Sequence, residues 1–199
     1  MIAERTIHKF TADDFWQMEV LGFFNRERVE WINVEIVAMP AQCNWHGACV
    51  DNTVDALRVI FPAKDYWVRN QATLNLRPLG IPDPDVAVVL GSKTSWAKTR
   101  QNPTTAVLIV EVSETTLHDD RLRKGRLYAA SGIAEYWIVN LVNHVLEVYR
   151  DPKPDTTAEF GASYADVRSL TTDQSIAPPG MTASVSIADL FPAIQADDP

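Results

Sequence analysis

The chain reads as an α/β (or α+β) fold, a sheet with buried central strands covered by helices. Three observations carry that reading. Val86–Leu90 and Ala106–Val112 are short, valine-rich apolar runs, the pattern of strands covered on both faces. Trp45–Phe61 instead places Val50, Val54, Leu57 and Phe61 at the 3.6-residue helical period. Helices therefore alternate with buried strands, and helix-on-sheet layers are the stable way to bury both. At 199 residues, with 46% apolar and 22% charged residues, the composition supports a single domain over 1–199 and excludes wholesale disorder.

In chain order, the spacing first predicts a helix over about Thr11–Val20. Thr11 with Asp14 resembles a capping box, and Phe15, Met18 and Leu21 follow at helical spacing. A β segment over about Val29–Met39 comes next and ends at Pro40. The helix Trp45–Phe61 closes at Pro62, and Tyr66–Leu76 is β-like. Pro82-Asp83-Pro84-Asp85 leads into the first valine run, and a Ser/Thr/Lys/Asn-rich loop separates it from the second. Leu117–Ser131 is a helix with Gly132 as its C-terminal cap. Glu135–Leu141 and Val145–Arg150 form a strand pair. Tyr136 and Trp137 belong to its apolar pattern and are read as core. The remainder, with Pro152, Pro154, Pro178 and Pro179, reads as edge strands and loops ending in a short turn at Ile187–Phe191.

No apolar run approaches the ~20 residues of a membrane span, and MIAERTIHKF has no signal-type apolar segment. A soluble cytoplasmic protein is the expectation. Two cysteines exclude a disulfide scaffold. Cys43, His46 and Cys49 form a C-x2-H-x2-C cluster that lacks the fourth ligand a structural zinc site needs. They read as small residues at a helix start. The net charge of −8 argues against a nucleic-acid binder, but residues 151–199 hold eight acids against two bases. Segment 91–126 holds seven bases against four acids, and is either a local basic surface or a solvated helix face.

The candidate chemistry centres on Asp85 and Glu111, at the start of one buried strand and the end of the other. If the strands are neighbours, two carboxylates converge at one edge of the sheet. Such a pair is costly unless a cation neutralises it, and Mg2+ prefers oxygen ligands. Asp120, Lys124 and Tyr128 recur at i, i+4 and i+8. They form either a helix face bearing on this site or an ordinary surface pair with a neighbour. Asp83 and Asp85 are also compatible with a simple turn role. His46 is either a satisfied, partly buried histidine or a phosphate or metal contact near the site.

Pro84-Asp85-Val86-Ala87-Val88-Val89, then Leu108-Ile109-Val110-Glu111-Val112-Ser113, then Asp120-x3-Lys124-x3-Tyr128 through Gly132-x2-Glu135-Tyr136-Trp137-Ile138-Val139, resemble the Uma (Uma-two) family of restriction endonucleases in the PD-(D/E)XK nuclease superfamily. Arg28–Val37, His46 and Val185–Phe191 extend the resemblance over nearly the whole chain. It implies a restriction-endonuclease-like core, a mixed β-sheet flanked by helices. It implies that Asp85, Glu111 and the Val112 carbonyl hold Mg2+ (or Mn2+), and that Glu30 reaches the metal through water. The superfamily's usual lysine position is Ser113 here, so Lys124 takes its place, and Tyr128 packs under the site or bonds Lys124. The implied activity is Mg2+-dependent endonucleolytic hydrolysis of DNA; cutting both strands asks for two sites, so a homodimer is the expected assembly. The alternative is a non-catalytic nucleic-acid- or protein-binding module on the same fold. Asn33-Val34 departs from the family's Asp-Gly, at a hairpin turn.

Overall fold

A computed structural model of the chain describes residues 8–25 and 27–193. The expectations for MIAERTI and for the last six residues of the acidic segment lie outside the described residues. Helix α1 (Ala12–Val20) begins at the expected capping box: the Thr11 hydroxyl accepts from the Asp14 amide, and Asp14 accepts from the Thr11 amide. Where one β segment was expected, the chain makes a hairpin, β1 (Val29–Ile32) and β2 (Glu35–Ala38). Asn33 and Val34 both take positive φ, 47° and 64°, which is the geometry of a two-residue type I′ turn. Helix α2 (Asn44–Ile60) buries Cys49, Val50, Val54 and Leu57.

The expected strand Tyr66–Leu76 stops early, as β3 (Tyr66–Asn70), because Gln71 turns into the left-handed region (φ 42°). A two-residue strand β4 (Gly80–Ile81) then pairs with β1. A side chain at Gly80 would put a Cβ 3.1 Å from Leu127 and 3.3 Å from the Trp31 carbonyl. Glycine lets the small sheet lie close to the helix behind it. Strand β5 (Val86–Leu90) and β6 (Leu108–Ser113) are antiparallel neighbours, with a short helix α3 (Lys93–Trp96) in the loop between them.

After β6 the chain is helical through α4 (Leu117–Asp119), a π segment (Asp120–Lys124) and α5 (Gly125–Ala130). It returns as β7 (Glu135–Asn140), parallel to β6. Strand β8 (Val145–Pro154) runs past the expected Arg150 and pairs with the long edge strand β9 (Ala162–Thr171). A small pair, β10 (Ser175–Ile176) and β11 (Val185–Ser186), precedes a 3-10 turn at Ile187–Leu190. The main sheet is mixed and six-stranded, in the order β3-β5-β6-β7-β8-β9.

The strands alternate strictly between two cores. Val86, Val88, Val110, Trp137 and Val148 pack on α2 and the C-terminal turn. Ala87, Val89, Ile109, Tyr136 and Ile138 pack on Leu127, Tyr128 and Ala129 of α5. Every residue of β6 and β7 is buried, as the valine runs led one to expect of central strands. This places Glu111 on the α5 side, one residue along from Val110 on the other. No helix among the described residues is long and apolar enough to cross a membrane.

Candidate functional site

Because β5 and β6 are antiparallel neighbours, the start of one lies beside the end of the other. Asp85 and Glu111 therefore meet at one edge of the sheet, and the Asp85 amide donates to Glu111 Oε2 at 3.2 Å. Both are almost fully buried, at 4% and 3% exposure, at the floor of a cleft of about 430 Å³. One wall of that cleft is apolar, from Val37 to Ala41. The other is polar, formed by Glu114–Thr116, Asp119 and Asp120.

Each carboxylate is held by several donors. Asp85 Oδ2 accepts the Val112 amide at 2.9 Å and lies 3.2 Å from His46 Nε2, in the first turn of α2. Asp85 Oδ1 accepts side-chain amides from Gln42 at 3.2 Å and Gln71 at 3.1 Å. Burial raises the Asp85 carboxyl, but His46, the Val112 amide and Gln71 outweigh it and the net shift is downward. Glu111 Oε1 accepts Lys124 Nζ at 3.0 Å and the Tyr128 hydroxyl at 2.6 Å. Here burial dominates and Glu111 is raised, with Lys124 opposing and Asp85 reinforcing. Burial would lower the Lys124 ammonium. The carboxylates of Glu111, Glu30 and Asp120 more than offset it and keep the group charged.

Glu30, on β1, completes the arrangement. Its Oε1 accepts the Asp83 amide at 2.8 Å and Lys124 Nζ at 3.2 Å, so Lys124 bridges two acids from different sheets. Of the two candidate aspartates before β5, Asp85 takes the central place, while Asp83 supplies a main-chain amide to Glu30. Ser113, where the resemblance leaves no lysine, donates to Asp120 Oδ2 at 2.7 Å, as does Thr116 at 2.6 Å. Tyr128 reaches Glu111 rather than Lys124. Burial would lower the His46 imidazole, but the Asp85 carboxylate and the Val112 backbone raise it overall. Its Nδ1 is buried with no hydrogen-bond partner among the described residues. Cys43 and Cys49 do not join His46: Cys49 lies in the α2 core and Cys43 is exposed.

Three of the seven cations of segment 91–126 are committed to ion pairs. Arg121 forms a two-pronged pair with Glu147, at 2.9 and 2.5 Å. Arg123 pairs with Glu35 at 2.6 Å, and Lys124 is buried in the site. Lys93, Lys98 and Arg100 are exposed, but follow the far end of β5 from Asp85.

The sequence reading missed Gln42 and Gln71. Neutral amides in loops, 43 and 14 residues from Asp85, carry no motif that would reveal them.

A family model described as "Uma2: Putative restriction endonuclease" matches residues 12–187. The chain belongs to the Uma2 family. The match runs from α1 through β11, so it includes every residue of the cleft just described. No curated protein matches the chain in sequence. Among solved structures, a protein from Anabaena variabilis described as a putative nuclease belonging to DUF820 superposes with a TM-score of 0.64 over 92% of this chain and 97% of that one. At 15% identity that likeness speaks for a shared fold. Family membership and fold together make the chain nuclease-like.

A divalent metal, which restriction-endonuclease-like proteins generally use, must fit the residues present. Among the described residues, no three Asp, Glu, His or Cys side chains stand together as a metal-holding group. The fit rests on two side chains and the main chain. Asp85 and Glu111 provide hard oxygen donors in a buried setting where a cation would offset the repulsion between them. The Val112 amide points at Asp85, and in an extended strand the carbonyl of the same residue faces the same side. The donor set is of the kind that Mg2+ or Mn2+ takes, with the rest of the coordination left to water.

Proposed function

We propose that the chain is a metal-dependent nuclease that hydrolyses DNA phosphodiester bonds. The observation that carries this is the position of Lys124, with its ammonium 3.0 Å from Glu111 and 3.2 Å from Glu30, on the wall of the cleft whose floor is the Asp85–Glu111 pair. Asp85, Glu111 and the Val112 carbonyl would hold Mg2+ or Mn2+. A cation there supplies a water of lowered pKa and stabilises charge on a phosphoryl oxygen.

The chain's own residues do the rest. Tyr128 and Lys124 fix the Glu111 carboxylate, and Gln42, Gln71 and the Val112 amide fix Asp85, so neither has to reorganise when charge develops. Lys124 is preorganised as a charged donor beside the attacking water. Glu30 holds that ammonium from the far side and sets its direction. Two copies, each cutting one strand, would account for double-strand cleavage.

The test is cleavage of supercoiled plasmid DNA with Mg2+ or Mn2+ by wild type, Asp85→Ala and Glu111→Ala. The reading predicts cleavage by wild type alone. Full metal-dependent cleavage by either variant overturns it. Salt-sensitive DNA binding without cleavage by wild type would favour the binding-module alternative.

A further inference from the structure

Asp120, Lys124 and Tyr128 all bear on one place, yet a regular α-helix does not line them up. At about 100° per residue, each i→i+4 step drifts by roughly 40°, so the three would fan over about 80°. A π turn takes about 4.4 residues, roughly 82° each, so the Asp120-to-Lys124 step drifts by about 30° the other way. The next α step brings Tyr128 back to within about 10° of Asp120. The π segment Asp120–Lys124 thus gathers three functional side chains into one narrow stripe facing β6. Such a turn is less stable than α-helix and needs local support.

The support is visible on β7. The Asp120 carbonyl accepts the Gly125 amide, the i→i+5 bond that defines the turn. It also accepts the Tyr136 hydroxyl at 3.1 Å, fully buried. A Cβ at Gly125 would sit 3.4 Å from that same carbonyl and 3.6 Å from the Tyr136 ring, ordinary contact distances that show how closely the ring packs on the turn. The Tyr136 ring also lies edge-on to Tyr128, at 5.0 Å between centroids, and Tyr128 holds Glu111. We infer that Tyr136 is a positioning residue: its hydroxyl locks the π turn that aims Lys124 and Tyr128 at Glu111. The inference rests on the reading of Lys124 as part of a nuclease site, but the lock itself is a structural claim with its own readout.

Tyr136→Phe removes one oxygen and keeps the ring. The through-hydrogen-bond coupling between the Gly125 amide nitrogen and the Asp120 carbonyl carbon, seen by NMR in wild type, should weaken or vanish in the variant. Exchange of the Gly125 amide should quicken about tenfold or more as the turn opens. Where wild type cleaves DNA, kcat should fall about tenfold or more with KM little changed, because a misplaced Lys124 acts in the transition state. A folded Tyr136→Phe protein with wild-type coupling and exchange overturns the lock, whatever its activity. Absence of the coupling in wild type overturns it as well. Loss of the coupling together with an unreactive wild type would uphold the lock and count against the nuclease reading alone. If Tyr136→Phe does not fold, wild type alone decides: the buried Tyr136 hydroxyl proton, held by the Asp120 carbonyl, should exchange slowly enough to be seen by NMR, and a hydroxyl proton exchanging as fast as a free phenol's overturns the inference.

Discussion

Lys124→Met tests the electrostatic account most sharply, because it removes a charge and little volume. Lys124 is buried, and its ammonium is the cation shared by Glu111 and Glu30. Breaking a buried pair from one side costs about 3–5 kcal/mol, since the partner charge is left uncompensated. Burial already raises Glu111, so proton uptake relieves part of the strain and points to the lower end, about 3 kcal/mol. For a chain of this length, roughly 2–4 °C of Tm follows each kcal/mol, so Tm should fall by about 6–12 °C. Adding Glu111→Gln removes one of the two stranded charges and leaves Glu30 with the Asp83 amide, so the double variant should recover about half of the loss. Because the stranded anion is neutralised by a proton, the gap between Lys124→Met and wild type should also narrow as pH is lowered. Thermal unfolding followed by circular dichroism at pH 6 and pH 8 measures all three. A fall in Tm below about 2 °C, or a double variant no more stable than the single one, would refute the reasoning.

Two further substitutions probe the scaffold. Val34 is a β-branched residue at φ 64° in the β1–β2 turn, a conformation that costs about 1–2 kcal/mol. Val34→Gly should therefore stabilise the protein by about 1 kcal/mol in urea unfolding, after glycine's own entropic cost; unchanged or lower stability contradicts the turn assignment. Glu147 is buried, which raises its carboxyl, yet Arg121, Asn140 and Tyr149 outweigh that and hold it below its usual value of 4.5. A depressed carboxyl contributes stability above its unfolded pKa, and that stability is lost as pH falls through the lower, folded value. Glu147→Gln should thus flatten the acid limb of a Tm-against-pH curve below about pH 5; parallel limbs would show that the Arg121 pair contributes nothing.

The features legible in the sequence were those with a periodic or compositional cause. Val86–Val89 and Leu108–Val110 are apolar throughout because both faces of the strands are covered there, and so they announced the centre of the sheet. Asp85 and Glu111 stood out as acids at the ends of those runs. Elements without a burial pattern were harder to see. Gly80–Ile81 is too short to have a period. Strand β9 is an edge strand with exposed Arg168 and Ser169, and its sequence reads like loop. The hairpin at Asn33-Val34 did not show in the residue pattern, because Val34 is an unfavourable turn residue, tolerated where β1 is also pinned by β4; only the family resemblance put a turn there. The π turn left no trace, since the spacing of Asp120, Lys124 and Tyr128 is the same whether the helix is α or π. Gln42 and Gln71 reach Asp85 from separate loops, a proximity only the folded chain creates.

The central claim is that Asp85, Glu111 and Lys124 form one metal-dependent hydrolytic site. The most direct measurement pairs Mn2+ titration calorimetry with plasmid cleavage for wild type and a folded Asp85→Ala protein. The account predicts that wild type binds Mn2+ and converts supercoiled DNA to nicked or linear forms, and that Asp85→Ala loses the binding heat and the cleavage together. Cleavage that survives Asp85→Ala, or Mn2+ binding that is unchanged by it, would contradict the account.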